Sequence, residues 1–124
     1  MKLRNFLVSL AVLFFLAVLY SGCNEDDYST SNSNATPGTN EIFMKNTAFT
    51  PANRAISIGT TLTWKNQDNF AHTVTSGTPG NPSGLFDSGN LGSGGSFSYT
   101  FNSAGSFKYF CSIHPAMTGT ITVQ

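Results

Sequence analysis

The sequence predicts an all-β domain, a two-sheet sandwich of about seven to eight short strands. Three observations carry that expectation. Past residue 22 the chain holds fifteen Thr but only Leu62, Leu85 and Leu91 among leucines, and 50 of its 102 residues are Ser, Thr, Asn or Gly. Such residues, with aromatics, favour strands and turns over helices. From Glu41 onward apolar and polar residues alternate with a period of two, and turns bearing Gly or Pro separate the runs. Helical bundles and α/β nucleotide folds are excluded on the same grounds. Charge excludes more. The chain has six Lys/Arg and six Asp/Glu; with Lys2 and Arg4 set aside in the leader, the remainder is near −2. That balance lacks the basic footprint of a nucleic-acid binder.

Residues 1–22 are an address. Lys2 and Arg4 precede the apolar run Phe6 to Tyr20, which is shorter than the roughly 20 residues that span a bilayer and reads as an export signal. The ending Ser21-Gly22-Cys23 resembles a bacterial lipoprotein signal, although Tyr20 stands where that family usually has Leu. The resemblance implies that Cys23 is lipidated, becomes the first residue of the mature chain and anchors it to a membrane. The location expected is the cell envelope, facing the periplasm or the exterior. Residues 23–39 then form the lipidated Cys and a disordered tether. Nine of the sixteen residues from Asn24 to Thr39 are Ser, Thr or Asn, too polar to bury a core; fully extended, they reach about 50 Å. With Cys23 heading a tether and Cys111 deep in the strand region, no disulfide between them is expected. An unpaired thiol in an exported protein requires another explanation.

The domain is placed at 40–124. Its expected strands are Ile42–Phe49, Ala55–Ile58, the run around Leu62 and Trp64, His72–Ser76, and the runs marked by Phe97/Tyr99/Phe101, Phe107/Tyr109/Cys111 and Ile121/Val123. In each alternating run one set of residues faces the core. Trp64 and Tyr109 are assigned to core packing, Tyr109 also fitting a tyrosine corner. The stretch Gly92-Ser93-Gly94-Gly95 has neither the Lys nor the following helix of a phosphate loop and is read as a turn.

The chemistry sits near the C-terminus. In Cys111-Ser112-Ile113-His114-Pro115-Ala116-Met117, Cys, His and Met recur at three-residue spacing, and His72 is the other histidine of the chain. Zinc sites have no use for a thioether. One thiolate and two imidazoles with a long axial Met describe a one-electron copper site. The soft sulfurs suit Cu(I) and the imidazoles also suit Cu(II), and a cage acceptable to both states keeps the reorganisation cost of electron transfer low. The residues after Cys111 must form a tight loop between adjacent strands, which brings His114 and Met117 beside the thiolate, with His72 arriving from a separate strand.

From about Asn40 to Gln124 the chain resembles the bacterial cupredoxins of the plastocyanin and amicyanin group. The resemblance is carried by Phe49-Thr50-Pro51, Gly59-Thr60-Thr61-Leu62-Thr63-Trp64, His72-Thr73-Val74, Gly105-Ser106-Phe107-Lys108-Tyr109-Phe110-Cys111 and His114-Pro115-Ala116-Met117. It implies a Greek-key, cupredoxin-like β-sandwich with one type 1 (blue) copper held by His72, Cys111, His114 and Met117. The function implied is the carrying of single electrons between a donor and an acceptor redox protein, by a monomer that is not an enzyme. Docking is expected to be transient and near His114, whose exposed edge is ringed by Pro115, Ala116 and Phe70 or Phe86. The rival reading is an envelope protein that binds or handles copper as cargo. Ile113 stands where the family often has Pro, so its N–H is a candidate donor to the Cys111 sulfur. The N–H of Thr73 is a second candidate by resemblance.

Overall fold

A computed structural model describes residues 35–124. The expected export signal, the expected lipid site at Cys23 and the expected tether as far as residue 34 lie outside the described residues. Nine strands follow: β1 (Glu41–Lys45), β2 (Ala48–Thr50), β3 (Asn53–Ile56), β4 (Thr60–Asn66), β5 (Thr75–Thr78), β6 (Asn81–Asp87), β7 (Ser96–Phe101), β8 (Gly105–Phe110) and β9 (Thr118–Val123). They form a four-stranded sheet in the order β2-β1-β4-β7 and a five-stranded sheet in the order β3-β9-β8-β5-β6. Pairing is antiparallel except for β1 with β4 and β3 with β9.

The alternation expected in β4, β7 and β9 is observed. Leu62, Trp64 and Phe101 are buried, as are Ile121 and Val123. On the opposite face of β4 and β7, hydroxyls pair across the strands, Thr61 with Thr100 at 2.7 Å and Thr63 with Ser98 at 2.8 Å. The core is aromatic at its centre, with Trp64 against Tyr109, Phe86, Phe97 and Phe101 at ring separations of 5.5–6.5 Å.

Two strands more than expected arise from local chemistry. Asn46 and Thr47 adopt left-handed conformations (φ 55° and 58°), which fold what reads as one strand into the β1–β2 hairpin. β6 has no alternation to read: residues 81–85 are all exposed, and it carries Pro82 and a left-handed Gly84 (φ 78°). Toward its N-terminus β5 is shorter than expected, since His72 makes only an isolated bridge with Leu91 before the ladder begins at Thr75. Phe110, on the outward set of β8 by period, is also buried, but outside the main core cluster. Gly92 to Gly95 is a turn as expected, closed by the Gly95 N–H on the Gly92 carbonyl.

The ladders bring the 46–47 turn and the 67–74, 88–95 and 111–117 loops to one end of the sandwich. Asn66, buried at the end of β4, ties this end together. Its side-chain amide donates to the carbonyls of Phe70, Leu91 and Gly92 at 2.8–3.1 Å, and its Oδ1 accepts the Asp68 N–H at 2.9 Å.

Tyr109 shows how tightly the second sheet is packed. Its hydroxyl donates to the Ala52 carbonyl at 3.0 Å, and burial pushes its pKa well above the usual phenol range. A Cβ on Gly119 would stand 2.3 Å from the Ala52 carbonyl oxygen and 2.4 Å from Tyr109 Cζ. Neither neighbour is a flexible side-chain end. Gly119→Ala is therefore expected to cost about 2–3 kcal/mol, measured as a lower urea midpoint by circular dichroism. A wild-type midpoint would show that the β3–β9 contact is looser than described.

Candidate metal centre

Three of the residues expected to bind metal converge. The ligand atoms of His72, Cys111 and His114 all lie within 4.8 Å of one another. Cys111 Sγ stands 3.8 Å from His72 Nδ1 and 3.7 Å from His114 Nδ1. His72 and Cys111 are fully buried, and His114 is half-buried. Cys111 is free, with no disulfide partner among the described residues.

The β5–β8 pairing creates this convergence. Thr75 sits opposite Phe110 and Ser76 opposite Tyr109. Continued past the ladder, that register sets Thr73 opposite Ser112, and their contacts agree: Thr73 Oγ1 accepts the Ser112 N–H at 2.8 Å and lies 3.0 Å from Ser112 Oγ. The Thr73 N–H then donates to Cys111 Sγ at 3.3 Å. The 111–117 loop closes on itself, the Cys111 N–H donating to the Met117 carbonyl at 3.0 Å and the Met117 N–H to the His114 carbonyl at 2.9 Å. Met117 is thereby buried, 3 % exposed, at the foot of the loop.

Among the described residues the backbone donor to the sulfur is Thr73; the N–H of Ile113 makes no such bond. Ile113 instead rides on the loop, 43 % exposed. Of the two aromatic candidates for the ring around His114, the structure selects Phe70. Phe86 is buried beneath Trp64 and Tyr99, whereas Phe70 is 43 % exposed and lies edge-on to both imidazoles, 5.0 Å from His72 and 5.6 Å from His114. Pro115 and Ala116 are exposed as expected.

Two residues at this end escape the sequence reading. Asn66 continues the buried Leu62/Trp64 set, and a polar residue on a core face was the signal for it. Asp68, four residues before His72, has a weaker one. Its Oδ2 lies 2.8 Å from His72 Nε2, and its carboxylate accepts the N–H groups of Asn46 and Thr47. Burial works to raise the Asp68 pKa, but the Thr47 N–H, the His72 ring and the Asn46 N–H outweigh it and hold the carboxyl below its usual value.

One thiol and two Nδ1 atoms facing a common point, with a thioether residue buried close by in sequence, fit a copper ion better than zinc. Similarity to known proteins agrees. Residues 36–124 match the model of the copper binding proteins of the plastocyanin/azurin family. The chain is 38 % identical over 84 residues to a plastocyanin of Scenedesmus fuscus, covering 61 % of this chain and 86 % of that one. It is 26 % identical over 124 residues to amicyanin-alpha of Methylorubrum extorquens, covering both chains fully. Among solved structures, a novel purple cupredoxin from Nitrosopumilus maritimus superposes with a TM-score of 0.63 at 33 % identity, over 68 % of this chain and 98 % of that one.

The Thr73 hydroxyl joins the two ligand-bearing segments, touching Thr75 Oγ1 at 3.1 Å as well as Ser112. Thr73→Val keeps its shape and its N–H to the sulfur while leaving the Ser112 N–H unpaired. The expected loss is about 1–2 kcal/mol of stability in urea unfolding. An unchanged midpoint would remove the hydroxyl from the account of how the site is held.

Proposed function

The chain belongs to the plastocyanin/azurin family of copper binding proteins, and from that premise we propose that it carries single electrons between redox partners in the cell envelope. Its cofactor is one type 1 copper. We assign His72, Cys111, His114 and Met117 as the residues that would hold it. The observation that carries the reading is the buried thiol with two imidazole Nδ1 atoms gathered within 4.8 Å. Copper, when bound, supplies a one-electron couple between Cu(I) and Cu(II).

The residues of the chain do the rest. Hydrogen bonds from elements outside the ligand set hold His72 and Cys111, so the cage keeps one shape in both oxidation states. Burial of His72 and Cys111 keeps water and competing ligands away. His114 alone of the three is part-exposed, which makes its edge the short path for an electron to leave. Phe70, Ile113, Pro115 and Ala116 surround it with apolar surface suited to short-lived docking. The same burial argues against copper as cargo, because a receiving protein could reach only one ligand. Enzymatic acid–base work finds no spare histidine, since both are committed to the metal. The lipid on Cys23 would keep the domain at a bacterial membrane while the tether lets it reach partners, a reading supported by the leader sequence.

Addition of one equivalent of Cu(II) to residues 24–124 is expected to give an intense blue band and a small copper hyperfine splitting in EPR, both lost in Cys111→Ala. A pale solution with an ordinary copper signal would refute the thiolate site. Docking should also depend only mildly on salt, since residues 69–73 and 112–117 carry no Asp, Glu, Lys or Arg. We expect transfer rates to a redox partner to change by less than about tenfold between low and high ionic strength. A steeper dependence would move the docking surface elsewhere.

A further inference from the structure

The ligand set leaves the carboxylate behind His72 unexplained. Asp68 is 9 % exposed, and both of its oxygens are engaged. Oδ1 accepts the Asn46 N–H at 2.8 Å, and Oδ2 accepts the Thr47 N–H at 3.0 Å and meets His72 Nε2 at 2.8 Å. An ionised carboxylate has no proton to give, so the imidazole must carry its proton on Nε2. In the neutral ring, the form that can ligate metal, this leaves Nδ1 bare, and Nδ1 is the atom turned toward Cys111.

The carboxylate is itself held by a costly turn. Thr47 is β-branched at φ 58°, beside Asn46 at φ 55°, a conformation worth about 1–3 kcal/mol of strain. In return, two successive N–H groups converge on one carboxylate. Asn66 fixes the same residue from the other side, through the Asp68 N–H, and holds the loop that leads on to His72 through the Phe70 carbonyl. The anion is thus placed by the backbone of the 46–47 turn and by the Asn66 side chain, independently of the imidazole it serves.

Resting on the copper reading above, we propose that Asp68 is the positioning residue of the site: it holds His72 as the Nε2–H tautomer with Nδ1 free for metal, and as an anion behind that ligand it favours oxidised copper. A carboxylate hydrogen-bonded to a ligating imidazole raises the basicity of that ligand. Negative charge close to the metal stabilises Cu(II) more than Cu(I), because the attraction scales with the charge of the ion.

Two measurements on the full chain test this. In the metal-free protein, imidazole ¹⁵N shifts report which nitrogen of His72 bears the proton. We expect Nε2–H; an Nδ1–H tautomer in the wild type overturns the proposal without recourse to any variant, and so guards against a variant that fails to fold. In the copper-loaded protein, Asp68→Asn removes the charge at nearly constant size. Cu(II) affinity is expected to fall about 10–100-fold and the reduction potential to rise. A potential equal to that of the wild type overturns the proposal, since a merely structural role would leave it unmoved. A wild-type chain that takes up no copper would instead strike the copper reading, while the metal-free spectrum still decides the tautomer.

Discussion

The site depends on a very short ladder. Only two residue pairs, Thr75 with Phe110 and Ser76 with Tyr109, join β5 to β8, and from their register follows the way His72 and Thr73 meet Cys111. Side chains alternate along a strand, so a slip by one residue would turn Cys111 away from His72 and exchange Thr73 for a neighbour of the wrong orientation. The ladder does not hold this register alone. The Thr73–Ser112 contacts extend it, and the long β8–β9 pairing from Gly105 to Phe110 anchors β8 from the other side. The aromatic centre does the same from below, where Tyr109 is locked between Trp64, Phe49 and the Ala52 carbonyl. Fold stability and site geometry are therefore linked through one strand.

Around the sulfur and the first imidazole, the protein applies two opposing influences. The Thr73 N–H on Cys111 Sγ draws charge from the thiolate and favours Cu(I). The Asp68 carboxylate behind His72 works in the other direction. Both arise within five residues on the 67–74 crossing from one sheet to the other. That crossing thus sets the electronic environment of ligands on two different loops, and small changes in it can shift the balance without touching a ligand.

Much of this was legible in the sequence where a simple period applies. The Leu62/Trp64, Phe97/Tyr99/Phe101 and Ile121/Val123 sets announce their strands because one face is buried and the other is solvated. The Cys-His-Met spacing announces the loop because adjacent antiparallel strands leave it no other course. Legibility fails where no alternation exists, as in the exposed β6, or where a residue adopts a backbone its type disfavours, as Thr47 does in splitting β1 from β2. It also fails for groups that act through hydrogen bonds. Asp68 looks like any loop carboxylate until the 46–47 turn is seen to converge on it, and the Ile113 N–H looks available until the loop is seen to close through Cys111, His114 and Met117. Phe86 and Phe70 are indistinguishable as sequence, yet one lies in the core and the other beside the imidazoles.

Trp64 is the single tryptophan of the chain. It is fully buried among Phe86, Phe97, Phe101 and Tyr109. An indole shielded from solvent in an aromatic core emits toward the short-wavelength end of its range, with little of the relaxation that reddens solvated tryptophan. The protein thus contains its own optical gauge of core integrity. Emission should redden once water reaches the aromatic centre, so substitutions at the metal end can be sorted by whether they disturb the core or leave it intact.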